Sequence, residues 1–278
     1  MLTQAEKAQR FRALHTRAGA FIIPNPWDLG SAQLLAGLGF EALATTSAGL
    51  ARALGKADNQ IGRDNVLTHV RELAPALDVP LSADLENGFG DAPEACAETI
   101  RLSAEAGLVG GSIEDSTRHA EAPQYEVAHA AERVRASVEA ARALPFAFTL
   151  TARAENFFTG TRDLADTITR LQAYQEAGAD VLYAPGLHSV EDIRSVLSSI
   201  DRPLNVLLGP QAGLLTLPEL AALGVKRVSL GSVLASVAST ALLHAAREML
   251  EQGSFGFARN LTPGRELDTI IARGAART

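Results

Sequence analysis

Two carboxylates two residues apart, Asp84 and Glu86, close a short apolar run that begins at Leu81, and glycines follow at Gly88 and Gly90. Side chains at i and i+2 of a strand point the same way, so the spacing predicts that Asp84 and Glu86 share one face. Leu81, Ala83 and Leu85 then take the other. Two further runs carry the same alternation: Ser112 and Glu114 around Ile113, and Thr149, Thr151 and Arg153 around Leu150 and Ala152. As neighbouring strands, the three runs deliver Asp84, Glu86, Glu114 and Arg153 to one place. A hard divalent cation satisfies such acids, and Mg2+ suits oxygen donors while keeping several waters. Arg153 is then free to grip a substrate carboxylate or phosphonate with its planar fork. The competing reading is an ion-pair network with a purely structural role.

The elements that must position these residues are punctuated by glycine. Helical patterns close at Leu38-Gly39, Ala106-Gly107, Ala177-Gly178 and Leu223-Gly224, each leading into an apolar run. Glycine supplies a left-handed C-cap without a Cβ penalty, and a short loop starts the next strand. Strands are expected at about 20–23, 42–46, 80–84, 109–114, 146–152, 180–184, 204–208 and 227–230. Strand–helix units at this interval predict one α/β domain over 1–278, a (β/α)8 TIM barrel, with the site at the C-terminal strand ends. The competing open, doubly wound sheet would show a Gly-rich phosphate loop early on, whereas the first strand ends in Pro24-Asn25-Pro26-Trp27-Asp28. Thr3 and Glu6 form a capping box for an opening helix, and Asp28 is placed to cap the next. The last barrel helix is expected at about 235–250, with an additional helix from Thr262 onward.

Composition narrows the class. The chain has 278 residues, a net charge of -7 and one cysteine. An acidic balance argues against a nucleic-acid or membrane-surface partner, since both are held by clustered Lys and Arg. Lone Cys96, in a helical pattern, excludes a disulfide framework and reads as packing in a cytoplasmic protein. Lys7, Lys56 and Lys226 are the only lysines, and none falls inside the barrel on a strand, so a Schiff-base aldolase is excluded. Asn205 has the parity to face inward, where it either touches substrate or satisfies its own loop. His15, His69, His129 and His244 lie in helical patterns, and His188 follows the sixth strand near the mouth.

Six segments in order resemble one family. They are Asn25-Pro26-Trp27-Asp28, Thr45-Thr46-Ser47-Ala48-Gly49, Leu54-Gly55 before Asp58, Ala83-Asp84-Leu85-Glu86-Asn87-Gly88-Phe89-Gly90, Ile113-Glu114-Asp115-Ser116 and Thr151-Ala152-Arg153. Together they are similar to the isocitrate lyase/phosphoenolpyruvate mutase superfamily. The resemblance implies a Mg2+-dependent enzyme, with Mn2+ an acceptable replacement, that passes through an enolate of a 2-oxo acid. It implies a homotetramer whose subunits exchange C-terminal helices. By position, Asp84 is the principal metal residue, while Asp58, Glu86 and Glu114 hold metal-bound waters. Arg153 meets the substrate, and Thr46, Ser47 and neighbouring amides such as that of Ala48 receive its carboxylate. Arg153, Asp58 and Glu114 are the expected catalytic groups.

One region departs from the pattern. The lyases of this superfamily resemble each other in a Lys-Lys-Cys-Gly-His gating loop, whereas the chain reads Ser116-Thr117-Arg118-His119-Ala120-Glu121-Ala122-Pro123-Gln124-Tyr125. The lysine and asparagine of the phosphonate mutases are missing too. His119 is a candidate for the absent acid, against a plain solvated histidine. The expectation is a Mg2+-dependent carbon–carbon lyase or decarboxylase for a small 2-oxo or 2-hydroxy di- or tricarboxylic acid. A carbon–phosphorus enzyme acting on phosphonopyruvate and a non-catalytic, dicarboxylate-binding barrel are the alternatives.

Overall fold

The computed structural model describes residues 1–209 and 215–276. The chain alternates strands and helices, beginning with α1 (Gln4–Thr16), β1 (Phe21–Ile23), α2 (Leu29–Gly37), β2 (Leu43–Ala44), α3 (Ser47–Ala53) and α4 (Arg63–Leu73). It continues with β3 (Leu81–Asp84), α5 (Pro93–Glu105), β4 (Gly110–Glu114), α6 (Val127–Arg142), β5 (Thr149–Arg153) and α7 (Leu164–Glu176). The last elements are β6 (Val181–Tyr183), α8 (Val190–Leu197), β7 (Leu204–Leu207), α9 (Leu217–Leu223), β8 (Arg227–Ser229), α10 (Val233–Gln252) and α11 (Gly264–Gly274). All strand pairs are parallel, in the order β1-β8-β7-β6-β5-β4-β3-β2. The remaining seam, β1 to β2, is bridged by the Ala44 amide donating to the Pro24 carbonyl at 3.1 Å. The fold is a (β/α)8 TIM barrel, as the glycine punctuation predicts. Gly39, Gly107, Gly178 and Gly224 all adopt left-handed φ values between 100° and 110°.

Local signals act as expected at several ends. Thr3 and Glu6 form a reciprocal capping box, and Asp28 accepts from the Ser31 amide at the start of α2. Asn25 ties three strand ends together: its amide group donates to the Thr45 carbonyl, and its oxygen accepts from the Leu230 and Gly231 amides at 2.9 Å each. Beneath the barrel, α1 inserts Phe11 against Gly110, where an added Cβ would lie 2.7 Å from the ring. Cys96 is fully buried, as packing requires. Among the described residues, no helix is long and apolar enough to cross a membrane.

The C-terminal segment differs from an ordinary barrel helix. Of the 20 residues of α10, Ala235 alone is buried, and Leu242 and Leu250 are 71% and 87% exposed. The chain then turns back so that α11 crosses α2 at two glycines. A Cβ on Gly37 would lie 1.9 Å from the Ile270 carbonyl oxygen, and one on Gly274 would lie 1.9 Å from that of Gln33.

The lumen is polar rather than aliphatic. Arg227, at the start of β8, donates through Nε to Asn205 Oδ1 at 2.9 Å and through Nη2 to Thr151 Oγ1 at 3.0 Å. Its Nη1 faces His15 Nε2 at 3.4 Å, while His15 Nδ1 sits 2.8 Å from the Phe11 carbonyl. That geometry needs a neutral imidazole with its proton on Nδ1. Burial, with Arg227 and Lys226 nearby, pushes the His15 pKa down from 6.5 to about 3. The unfolded chain therefore binds a proton that the folded one refuses, and stability falls as pH drops from 6.5 toward 3. His15→Gln should flatten the dependence of melting temperature on pH between about 6.5 and 4. An unchanged slope would remove His15 as its source.

Candidate active site

The strand register places the candidate groups. Glu114 on β4 pairs with Arg153 on β5, and Arg153 pairs with Tyr183 on β6, so three side chains stand abreast at the C-terminal rim. Arg153 Nη1 lies 3.4 Å from Glu114 and 3.7 Å from Asp84, and its Nε donates to Glu155. Its guanidinium carbon sits 5.2 Å from the Tyr183 ring centroid. Glu114 and Glu155 are nine-tenths buried or more, Arg153 nearly so, and Asp84 is 18% exposed. The sequence leaves Arg153 free for substrate. In the folded chain its fork already faces three carboxylates.

Asp84 is the last residue of β3. One carboxylate oxygen accepts from the Glu86 amide at 3.1 Å, and the other accepts from Ser47 Oγ at 3.0 Å. Strand parity does not extend to Glu86, because the strand has ended and Glu86 adopts φ 50°, the left-handed region. Its carboxylate is 1% exposed; Oε2 accepts from Arg118 and Oε1 has no protein partner. Arg118 itself belongs to the loop after β4 and reaches back across Phe89, 5.9 Å from its ring.

Burial sets the electrostatics. It pushes the Glu86 carboxyl up to about 7, with Asp84 and Asp58 adding to the rise and Arg118 opposing it. Burial raises Glu114 well above the usual carboxylate range and raises Glu155 too, and Arg153 pulls both back. One guanidinium cannot neutralise Asp84, Glu114 and Glu155 together, so the rim favours uptake of a proton or a cation.

Above this cluster opens a cavity of about 390 Å3, whose lining includes Thr46, Ser47, Ala48, Asp58, Asp84 and Arg153, with the Phe158 ring 5.8 Å from the Arg153 guanidinium. Thr46 caps α3 by accepting from the Gly49 amide, which fixes the turn that presents Ser47 and Ala48. A smaller cavity of about 60 Å3 continues beneath it into the lumen, past Asn205 and Arg227. Asn205 is thus one level below the mouth, held by Ser229 Oγ at 2.9 Å as well as by Arg227. Glu86 and Glu114 lie beside the larger cavity rather than in its lining. His119 is exposed in the loop after β4, away from both cavities, whereas His188 lines the larger one.

Two groups at the rim escape the sequence reading. Glu155 continues the alternation Thr151, Arg153, Glu155 one step past the strand, and extending the parity would have found it. Its amide is fixed by Asp115 Oδ1 at 2.9 Å, and Asp115 in turn accepts from Tyr174 at 2.6 Å and Arg170 at 3.1 Å. Tyr183 lies in an all-apolar run, Val181-Leu182-Tyr183, that carries no parity signal.

The profile of the phosphoenolpyruvate phosphomutase family matches residues 11–250. The chain belongs to that family. A protein of Burkholderia cenocepacia J2315, provisionally named a lyase/mutase, has a crystal structure that superposes with a TM-score of 0.94 at 59% identity, covering 97% of each chain. Oxaloacetate acetylhydrolase in complex with its product oxalate superposes with a TM-score of 0.85 at 25% identity, over 96% of this chain and 94% of that one. The 2-methylisocitrate lyase of Escherichia coli (strain K12) is 29% identical over 202 residues, 70% of this chain and 67% of its own. With these relatives the chain is an enzyme of the lyase type.

Removing the one cation from the buried rim leaves three carboxylates facing each other. Arg153→Met should cost about 3–5 kcal/mol in urea unfolding at pH 8 without divalent ions. The loss should be smaller at pH 5 than at pH 8, because burial moves the protonation of Glu114 and Glu155 upward in pH. An equal loss at both pH values would contradict the charge argument.

Proposed function

We propose that this family member is a Mg2+-dependent carbon–carbon lyase or decarboxylase that acts on a small 2-oxo or 2-hydroxy acid through an enolate. The observation that carries the reading is the surplus of buried carboxylate over guanidinium at the rim, beside a cavity of about 390 Å3. The donor set fits a hard cation. The oxygens of Asp84, Asp58, Glu86 and Glu114 are available to it, and Glu86 Oε1 is buried with no protein partner. Among the described residues no three such side chains surround one point, and Asp84, with the neighbouring acids, would hold the ion. Mn2+ can replace Mg2+ at such a site.

When bound, Mg2+ supplies Lewis-acid stabilisation of the charge that develops next to the substrate carbonyl. The chain's own groups do the rest. Ser47 and the backbone of Thr46 and Ala48 receive the substrate carboxylate at the turn into α3. Arg153, now shared among Asp84, Glu114 and Glu155, would be free to turn its fork toward substrate once those acids are neutralised. Asp58, from the exposed loop at the mouth, and Glu114 complete the acid set. Asn205 and Arg227 hold the floor of the site from the lumen. His119 is positioned for solvent rather than for substrate, and the reading assigns it no role.

The uncovered apolar face of α10 supports assembly, with each α10 packed on a neighbouring barrel, in a tetramer built from helix-exchanged dimers. The lone buried Cys96 accords with a cytoplasmic enzyme.

Titration of oxalate, a mimic of enolpyruvate, should give heat only with Mg2+ or Mn2+ present. Asp84→Ala should abolish that heat and lower turnover at least about a hundredfold. Metal-dependent turnover that survives Asp84→Ala would overturn the assignment. Light scattering should give four times the chain mass, and Leu242→Glu with Leu250→Glu should lower it; a monomeric parent protein would exclude helix exchange.

A further inference from the structure

Tyr183 stands at the rim without a place in the acid set. The strand register pairs it with Arg153 on one side and with Asn205 on the other, and it lines both the larger cavity and the smaller one beneath. Two guanidiniums, those of Arg153 and Arg227, act on its hydroxyl, and Ser229, whose Oγ accepts from Asn205 Nδ2 at 2.9 Å, stands beside it. Among the described residues no carboxylate or carbonyl oxygen accepts its proton. A buried phenol ordinarily finds a hydrogen-bond partner. Here the open partner is whatever occupies the cavity.

The enolate of the proposed reaction has to gain a proton at the carbon that the broken bond leaves behind, and the donor must hold its proton at neutral pH. Burial pushes the Tyr183 pKa up to about 12, which keeps the hydroxyl protonated. Other groups in the lining are worse placed. Ser47 already donates to Asp84 at 3.0 Å. His188 Nδ1 lies 2.5 Å from the Gly186 carbonyl, so the proton of the neutral ring is spent there and Nε2 has none to give. Thr46 and Ser232 are aliphatic alcohols, weaker acids than a phenol.

We infer that Tyr183 is the proton donor to the enolate. Its O–H bond breaks as the electron pair of the enolate forms a C–H bond, and the carbonyl is restored. The tyrosinate left behind is stabilised by the Arg153 and Arg227 guanidiniums until it takes a proton back from water. This rests on the enolate reading and supplies the acid that is absent from the loop after β4.

The test follows pyruvate in D2O by proton NMR, with Mg2+ and the intact protein, and measures oxalate binding alongside by calorimetry. Run in reverse, the same proton transfer exchanges the methyl protons of pyruvate for deuterium. Tyr183→Phe keeps the ring and removes the proton. The variant should bind oxalate within about threefold of the parent protein, while its exchange rate falls at least about a hundredfold. A smaller fall overturns the inference alone, and loss of exchange in His188→Gln instead would name the histidine as donor. Loss of oxalate binding in Tyr183→Phe would make Tyr183 a binding group and overturn the donor role as well. A parent protein that binds oxalate but exchanges no deuterium also overturns the inference, with the enolate reading left standing. Failure of the parent protein to bind oxalate removes both.

Discussion

A single buried guanidinium among three carboxylates governs the rim of this barrel. Arg153 has to sit where β4, β5 and β6 bring Glu114 and Tyr183 alongside it, and where the end of β3 brings Asp84 within 3.7 Å. Charges in such a place are costly unless each is paired and hydrogen-bonded. The surrounding structure supplies those bonds. Asp115 fixes the backbone at Glu155, Ser47 and the Glu86 amide take up the oxygens of Asp84, and the Tyr183 ring faces the cation. What remains is a deficit of positive charge, which on the proposed reading a metal makes good.

The same economy of charge runs down the lumen. Arg227 is buried among neutral acceptors, Asn205, Thr151 and His15, with no carboxylate bridging to it among the described residues. Burial lowers its pKa to about 10. A helix beneath the barrel, a strand start and a strand end thereby share one hydrogen-bonded column that reaches the floor of the active-site cavity.

Most of the fold was legible because its signals are local. Glycine C-caps and short apolar runs lie within a few residues of each other, and the strand ends they predict carry Asp84, Glu114 and Arg153. Glu86 shows where local reading stops: alternation gives a face only while the strand lasts, and past the left-handed turn at Glu86 its carboxylate meets Arg118, 32 residues away. Arg227 escaped notice because attention to strand ends overlooks strand beginnings, and its partner His15 is 212 residues distant. The carboxylates around Arg153 hide its engagement from any one-dimensional pattern. The exposure of α10 is likewise invisible in sequence, since an apolar helical face reads the same whether the chain covers it or leaves it bare.

α10 also joins two regions that are otherwise separate. Its first residue, Val233, is part of the cavity wall, and its apolar face runs on uncovered to Gln252. A helix of this length is a rod of about 30 Å. Whatever grips its far end would set the angle of its near end, and so bear on the cavity wall through a lever built into the chain. Divergence of surface residues far from the mouth is then a route by which the shape of the cavity can drift without any change in the acids and the arginine of the candidate site.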